Sequence, residues 1–184
     1  MFNTQLRLLF ITLVSVVTAL AALPDSPIDQ RNVNATVSCG DAAKGSPWLD
    51  YNGHCYVLVD WPWSGGKQLD WTGAREHCVL QYGGGRPAWI EDKKTMVAIL
   101  DWLNEAYKPI KEMDRSWIGL KKSGGNWAWF RGDDSMDHIA TYLPWLPGEP
   151  SGDGNCGMAM YVNGALGLND ENCADVHASI CQIY

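Results

Sequence analysis

Apolar residues recur with two different periods along this chain, and the change from one to the other marks out its elements. Over residues 69–82, and again after Asp92 where Met96, Ile99, Leu100 and Leu103 stand three and four apart, the period is helical. Asp92 is suited to cap the second helix, because its carboxylate can accept the N–H bonds that a first turn leaves unmade. Pro109 stops that run for want of an N–H, and Gly83-Gly84-Gly85 ends the first one. Elsewhere the apolar residues alternate or form short runs between Gly, Pro and Asp. Strands are predicted over 54–60, 116–120, 127–130, 157–162, 166–168 and 179–183. Helices first and short strands after predict an α+β domain with a mainly antiparallel sheet. Between Arg131 and Asn155 there is almost no periodicity, and a loop of that length in a compact domain is the first place to look for function.

The N-terminus follows another pattern. Arg7 precedes an apolar run over 8–22 that closes with Ala19-Leu20-Ala21, which predicts a secretory signal peptide over 1–22 and not a membrane span. The mature chain is then secreted and extracellular, with a leader over 23–38 and a compact domain over 39–184. Asn34-Ala35-Thr36 is the only glycosylation sequon and makes Asn34 the expected modified residue. Six cysteines, an even number in an oxidising compartment, predict three disulfides, with fifteen connectivities open. Loss of Arg7 takes the formal charge from -7 to 13 minus 21, or -8, which argues against nucleic acid and other polyanions as partners. About 160 mature residues support one domain with a real core. No repeat, heptad or collagen-like stalk is present to set an oligomeric state.

The chemistry concentrates near the C-terminus. Glu149, Pro150 and Ser151 alone would be a solvated turn, but Asn169 and Asp170 lie in the same frame, set by Cys156 and Cys173. Carboxylates, a hydroxyl and an amide together make a set of oxygen ligands for a hard cation, which points to calcium. Catalysis has no comparable support. His54, His77, His138 and His177 lack zinc spacing, paired cysteines leave no thiol, Glu91-Asp92 is explained by helix capping, and Gly83-Gly84-Gly85 follows a helix where a phosphate loop would precede one. Of the ten tryptophans, Trp117, Trp127, Trp129 and Trp145 are expected in the core or supporting the loop, whereas Trp61 and Trp63 are candidates for an exposed patch. Asp133, Asp134 and Asp137 are expected to form a turn or a solvated acid cluster.

Taken in order, His54-Cys55-Tyr56, the helix around Cys78, Trp117-Ile118-Gly119-Leu120, Trp127-Ala128-Trp129, Gly148-Glu149-Pro150-Ser151 and the triplet Cys156, Cys173 and Cys181 resemble the C-type lectin-like domain over nearly all of the mature chain. The resemblance implies a disulfide-stapled fold of two helices, a mainly antiparallel sheet and a long loop that binds calcium and, through it, sugar. It selects one connectivity, Cys39 with Cys55, Cys78 with Cys181 and Cys156 with Cys173, the first pair marking the long form of the domain. It also implies a cis bond before Pro150. Glu149, Ser151, Asn169 and Asp170 match the residues that hold both ion and sugar in the family. Mannose-selective relatives carry Glu-Pro-Asn in the loop and galactose-selective ones Gln-Pro-Asp, so the acid at Glu149 leans this chain towards mannose-type sugars. Three departures stand out. Ser151 replaces an amide, Leu168 replaces a Trp as a core substitution, and the acid expected just before Cys156 is missing, with Asp153 and Asn155 as the residues available to take its place. Lys121-Lys122 and Gly152 stand where acids would build an accessory site, so one calcium ion is expected. The implied function is a secreted, calcium-dependent carbohydrate-binding protein of a defence or adhesion type. The alternative is a calcium-independent lectin-like domain that binds a protein, mineral or ice surface.

Overall fold

The computed structural model describes residues 38–43, 46–59, 67–106, 115–162 and 165–183. All lie in the compact unit spanning Val37–Tyr184. The expected signal peptide, the leader up to residue 37 with Asn34, and Trp61 and Trp63 lie outside the described residues.

A one-turn helix α1 (Cys39–Ala42) leads into a hairpin of β1 (Trp48–Tyr51) and β2 (His54–Val59). Helix α2 (Trp71–Gln81), the two-residue β3 (Arg86–Pro87) and helix α3 (Lys93–Ala106) follow, and then β4 (Ser116–Ser123), β5 (Asn126–Phe130), β6 (Met136–Ile139), β7 (Cys156–Val162), β8 (Ala165–Glu171) and β9 (Ala178–Ile183). The sheet runs β1-β2-β9-β4-β5-β6, with β3 on β9, β7 on β4 and β8 on β7. Every pairing is antiparallel except β4 with β9, where Ser116 and Trp117 lie beside Ala178 and Ser179. The α+β class and the mainly antiparallel sheet are as expected.

The local rules hold at the helix starts. Asp70 accepts from the Gly73 N–H at 2.7 Å, so α2 begins after it, and Leu69 pairs instead with His177 as an isolated bridge. Asp92 Oδ1 accepts from the N–H groups of Lys94 and Thr95 at 2.7 and 2.9 Å, and its Oδ2 accepts from the Thr95 hydroxyl at 3.1 Å. The cap is therefore filled by the residue the periodicity assigns to it. Four elements are additional to the predicted ones: α1, β1, β3 and β6. For β1 a signal was present in the chain. Asn52 and Gly53 both have positive φ, 57° and 76°, as a two-residue hairpin turn requires, and they bring Tyr51 opposite His54. Strands β3 and β6 are two and four residues long, too short to carry a period of their own.

The main core lies between α3 and the sheet. Met96, Ile99 and Leu103 from the helix meet Leu58, Ile118 and Ile180 from the strands, all of them buried. Trp117 and Trp129 are buried as expected, and Trp71 and Trp89 join them, each donating its indole N–H at 2.9 Å to a backbone carbonyl, of Ile118 and Phe130 respectively. The acid cluster forms a turn. Asp133 accepts from Ser135 N–H at 3.0 Å, Asp134 has a positive φ of 64°, and Asp137 pairs with Arg131 and with His138, whose other ring nitrogen meets Glu91 at 2.9 Å.

The disulfides are Cys39–Cys55, Cys78–Cys181 and Cys156–Cys173, the connectivity implied by the resemblance. No described helix is long and apolar enough to cross a membrane.

Tyr56 on β2 is 3 % exposed, and burial pushes its phenol up to about 12, with the Arg86 cation opposing and Glu91, Asp92 and Tyr51 assisting. A group whose folded-state pKa is raised contributes stability that is complete below its unfolded value, here 10.0, and lost as pH rises through the folded value. The unfolding free energy should therefore fall by about 2–3 kcal/mol between pH 10 and 12. Denaturant midpoints across that range should show the fall in the wild type and a flatter profile in Tyr56→Phe. Equal slopes would show that another group titrates.

Candidate functional site

The long loop is built against strand β8. The Leu168 N–H donates to the Pro144 carbonyl at 2.9 Å, the Leu146 N–H donates to the Leu168 carbonyl at 3.0 Å, and Trp145 forms a parallel bridge with Leu168. Leu168 is fully buried within the main core, so the departure from Trp is one of packing, as expected. Half-buried Trp127 and Trp145 meet edge to face at 5.0 Å, which joins the same segment to β5. The chain then turns through Gly148, at φ 93°, into the cis peptide between Glu149 and Pro150. Cys156–Cys173 closes the loop below, with Gly157 paired to Asp170 and Met158 to Asn169 across β7 and β8.

These constraints set the expected site residues in two layers. Glu149 is half-buried, and Ser151, Asp153 and Asn155 are exposed, while Asn169 and Asp170 are 6 % and 1 % exposed beneath them. Asp170 is the centre of the lower layer. Its Oδ1 accepts from the Ser151 N–H at 2.7 Å and the Ser151 hydroxyl at 3.3 Å, and its Oδ2 accepts from the Gly152 and Gly154 N–H groups at 3.0 and 3.5 Å. Burial raises its carboxyl, but the Ser151 N–H, the Glu149 side chain and then the Gly152 and Gly154 N–H groups together outweigh that and hold it below the usual carboxylate range. Glu149 Oε2 accepts from the same Ser151 N–H at 2.9 Å. Asn169 donates its side-chain amide to the Asp170 carbonyl at 2.8 Å. The Asn155 carbonyl accepts from the Lys122 N–H at 2.8 Å and ties the loop to β4.

A calcium ion asks for six to eight oxygens, and the residues present do not fit that shell. Among the described residues no three His, Cys, Asp or Glu side chains are grouped to hold a metal ion. The position of the missing acid cannot be made good by a side chain. A Cβ at Gly154 would lie 1.7 Å from the Glu171 carbonyl oxygen, so only glycine fits there. Asp153 and Asn155 both stay in the exposed layer, and the Asn155 backbone carbonyl is tied to β4. Glu149, Ser151 and Asp170 are thus brought together, by hydrogen bonds among themselves, and Asn169 is turned to a backbone carbonyl.

The residues that sequence reasoning missed are Gly152 and Gly154, whose contribution is their backbone N–H groups. The only available signal was the short Gly-Asp-Gly run, which marks a close turn without saying what it turns around. Chemically, the site offers a rim of carboxylate, hydroxyl and amide groups at Glu149, Ser151, Asp153 and Asn155, carried on a loop stapled by a disulfide and braced by two indoles. Such a rim is suited to exchanging hydrogen bonds with ligand hydroxyls.

Comparison with known proteins agrees with this architecture. The family model of the lectin C-type domain matches residues 67–183. The C-type lectin lectoxin-Lio3 of Erythrolamprus poecilogyrus is 30% identical over 142 residues, covering 74% of this chain and 79% of that protein. Among solved structures, human lithostathine superposes with a TM-score of 0.59 at 19% identity, over 74% of this chain and 96% of its own. A calcium-independent type II antifreeze protein superposes with a TM-score of 0.53 at 23% identity, over 74% and 90%. At those identities the two structures speak for the fold alone, whereas the family model spans most of the chain. On that match, and on the cystine frame, loop and sheet that go with it, this chain belongs to the C-type lectin domain family.

Proposed function

We propose that this chain is a secreted carbohydrate-binding protein that meets its sugar on the rim formed by half-buried Glu149 and exposed Ser151, Asp153 and Asn155. Membership of a lectin family supports carbohydrate as the ligand, and the observation that carries the placement is the layering of the loop, with its polar side chains outward and its structural carboxylate inward. In this reading residues 1–22 are removed on secretion, Asn34 is glycosylated, and the domain over 39–184 does the binding. The motif of Glu149, Ser151, Asn169 and Asp170 suggests contact through calcium, but the run before Cys156, where a further carboxylate is expected, admits no side chain at Gly154. Sugar hydroxyls then bond to the rim side chains themselves. The acid at Glu149 favours mannose-type over galactose-type sugars as first ligands.

A glycan array probed with the mature protein, once in calcium and once in chelator, tests this. Signal on mannose-type glycans should survive chelator and fall about ten-fold in Glu149→Ala and in Asp153→Ala, each loss corresponding to one hydrogen bond to a charged group. Signal that chelator abolishes would restore the calcium-dependent alternative. A blank array in both conditions would overturn the carbohydrate reading and favour a protein, mineral or ice surface.

A further inference from the structure

We infer that Asp170 does the work of a metal ion in organising this loop: its buried carboxylate gathers the N–H groups of Ser151, Gly152 and Gly154, and the loop is ordered without calcium. The inference is independent of which ligand the rim binds.

A carboxylate has about four lone-pair sites. In Asp170 the Ser151 N–H and hydroxyl fill two on Oδ1, and the Gly152 and Gly154 N–H groups fill two on Oδ2. Donors that converge in this way from neighbouring residues form a concavity for an anion, and one member of such a nest ordinarily has a positive φ. Gly152 supplies it, at 86°. The anion in this nest belongs to the chain itself, and at 1 % exposure it is closed off from water. A cation placed on Asp170 would have to displace those N–H groups from the carboxylate that gathers them, while gaining no carboxylate from Gly154.

Neighbouring groups point the same way. The Ser151 hydroxyl, expected as a ligand, is within donating distance of Oδ1, and the Asn169 amide donates to the Asp170 carbonyl. Glu149 accepts from the Ser151 N–H. Glu149, Ser151, Asn169 and Asp170 thus each have a partner within the protein, and the bonds from Ser151 to Asp170 hold the Glu149-Pro150-Ser151 turn against β8. The electrostatic sense is reversed from that of a calcium loop. Where carboxylates would converge on a positive ion, positive ends of backbone dipoles converge here on one carboxylate.

The test uses the mature protein without glycan, with calcium chloride and a chelator as probes, and reads the melting temperature and the amide hydrogen exchange of Ser151, Gly152 and Gly154. The expected result is the same melting temperature and the same protection in both solutions. Asp170→Asn, which keeps the shape but removes the charge and one acceptor, should speed exchange at those three amides at least ten-fold and leave the amides of β2 and β9 as they were. A melting temperature that calcium raises by several degrees and chelator restores would overturn the inference, as would undiminished protection in Asp170→Asn. Should that variant fail to fold, the calcium titration of the wild type decides by itself. Because no glycan is involved, a blank array leaves this result standing, and a calcium-driven shift leaves the array result standing.

Discussion

Replacing Cys78 and Cys181 together by alanine should lower the unfolding free energy by about 4–5 kcal/mol, the largest loss of any change considered. The bond joins residues 103 apart, α2 to the central strand β9, and both cysteines are fully buried. Without it the unfolded chain regains the entropy of a loop of that length, which a term growing with the logarithm of loop length puts at about 4.7 kcal/mol. The vacated sulfur positions, packed against Val57, Val59 and Ala43, add a cavity cost in the same direction. Single domains are stable by roughly 5–15 kcal/mol, so much of the margin would go. Denaturant unfolding is the measurement. The Cys39–Cys55 and Cys156–Cys173 pairs, separated by 16 and 17 residues, provide the comparison. Their removal should cost about 3 kcal/mol each. If all three double variants lost the same amount, loop length would not be what sets the stabilisation here.

Gly154→Ala should cost about 3 kcal/mol or more and abolish glycan binding together with the loop's order. The added Cβ would stand 1.7 Å from the Glu171 carbonyl oxygen, 1.8 Å from its carbon and 2.5 Å from the Asn172 nitrogen. These are backbone atoms at the end of β8 beside Cys173, with no rotamer by which to move away. Relief requires the loop to lift from the strand, which breaks the Gly154 bond to Asp170 and loosens those of Gly152 and Ser151 with it. Gly152→Ala is the informative contrast. Nothing lies within 4 Å of a Cβ there, so its cost is only that of a side chain at a φ of 86°, about 1–2 kcal/mol. Melting temperatures of the two variants separate crowding from backbone strain, and comparable small losses in both would mean that the loop shifts freely away from β8.

Much of the fold was open to inspection in the chain itself. Helical spacing through Met96, Ile99 and Leu103, the Asp92 cap, and short apolar runs between Gly, Pro and Asp all depend on neighbours within a few residues, so pattern suffices to find them. The Asn52-Gly53 turn belongs in the same class, because that dipeptide favours the positive φ of a two-residue hairpin and so marks β1. The even cysteine count required three bonds and left their partners open, and it was the ordered set of motifs that selected one connectivity.

The candidate site divides along the same line. Its residue types and their order are local facts: an acid, a hydroxyl, an amide and a second acid inside a cystine frame, suited to calcium or to hydroxyl recognition. Which of them face a ligand is not local. Asp170 meets its donors across separations of 16 to 19 residues, and only the register of β7 on β8, together with the close contact of Gly154 with Glu171, brings those N–H groups to its carboxylate. Composition cannot distinguish an oxygen with vacant lone pairs from one that backbone donors have already filled. The chain alone therefore determined the fold class, the loop and the inventory of its oxygens, while the tertiary structure decided which of those oxygens are available, because hydrogen bonding depends on distances of a few tenths of an ångström that no spacing along a sequence contains.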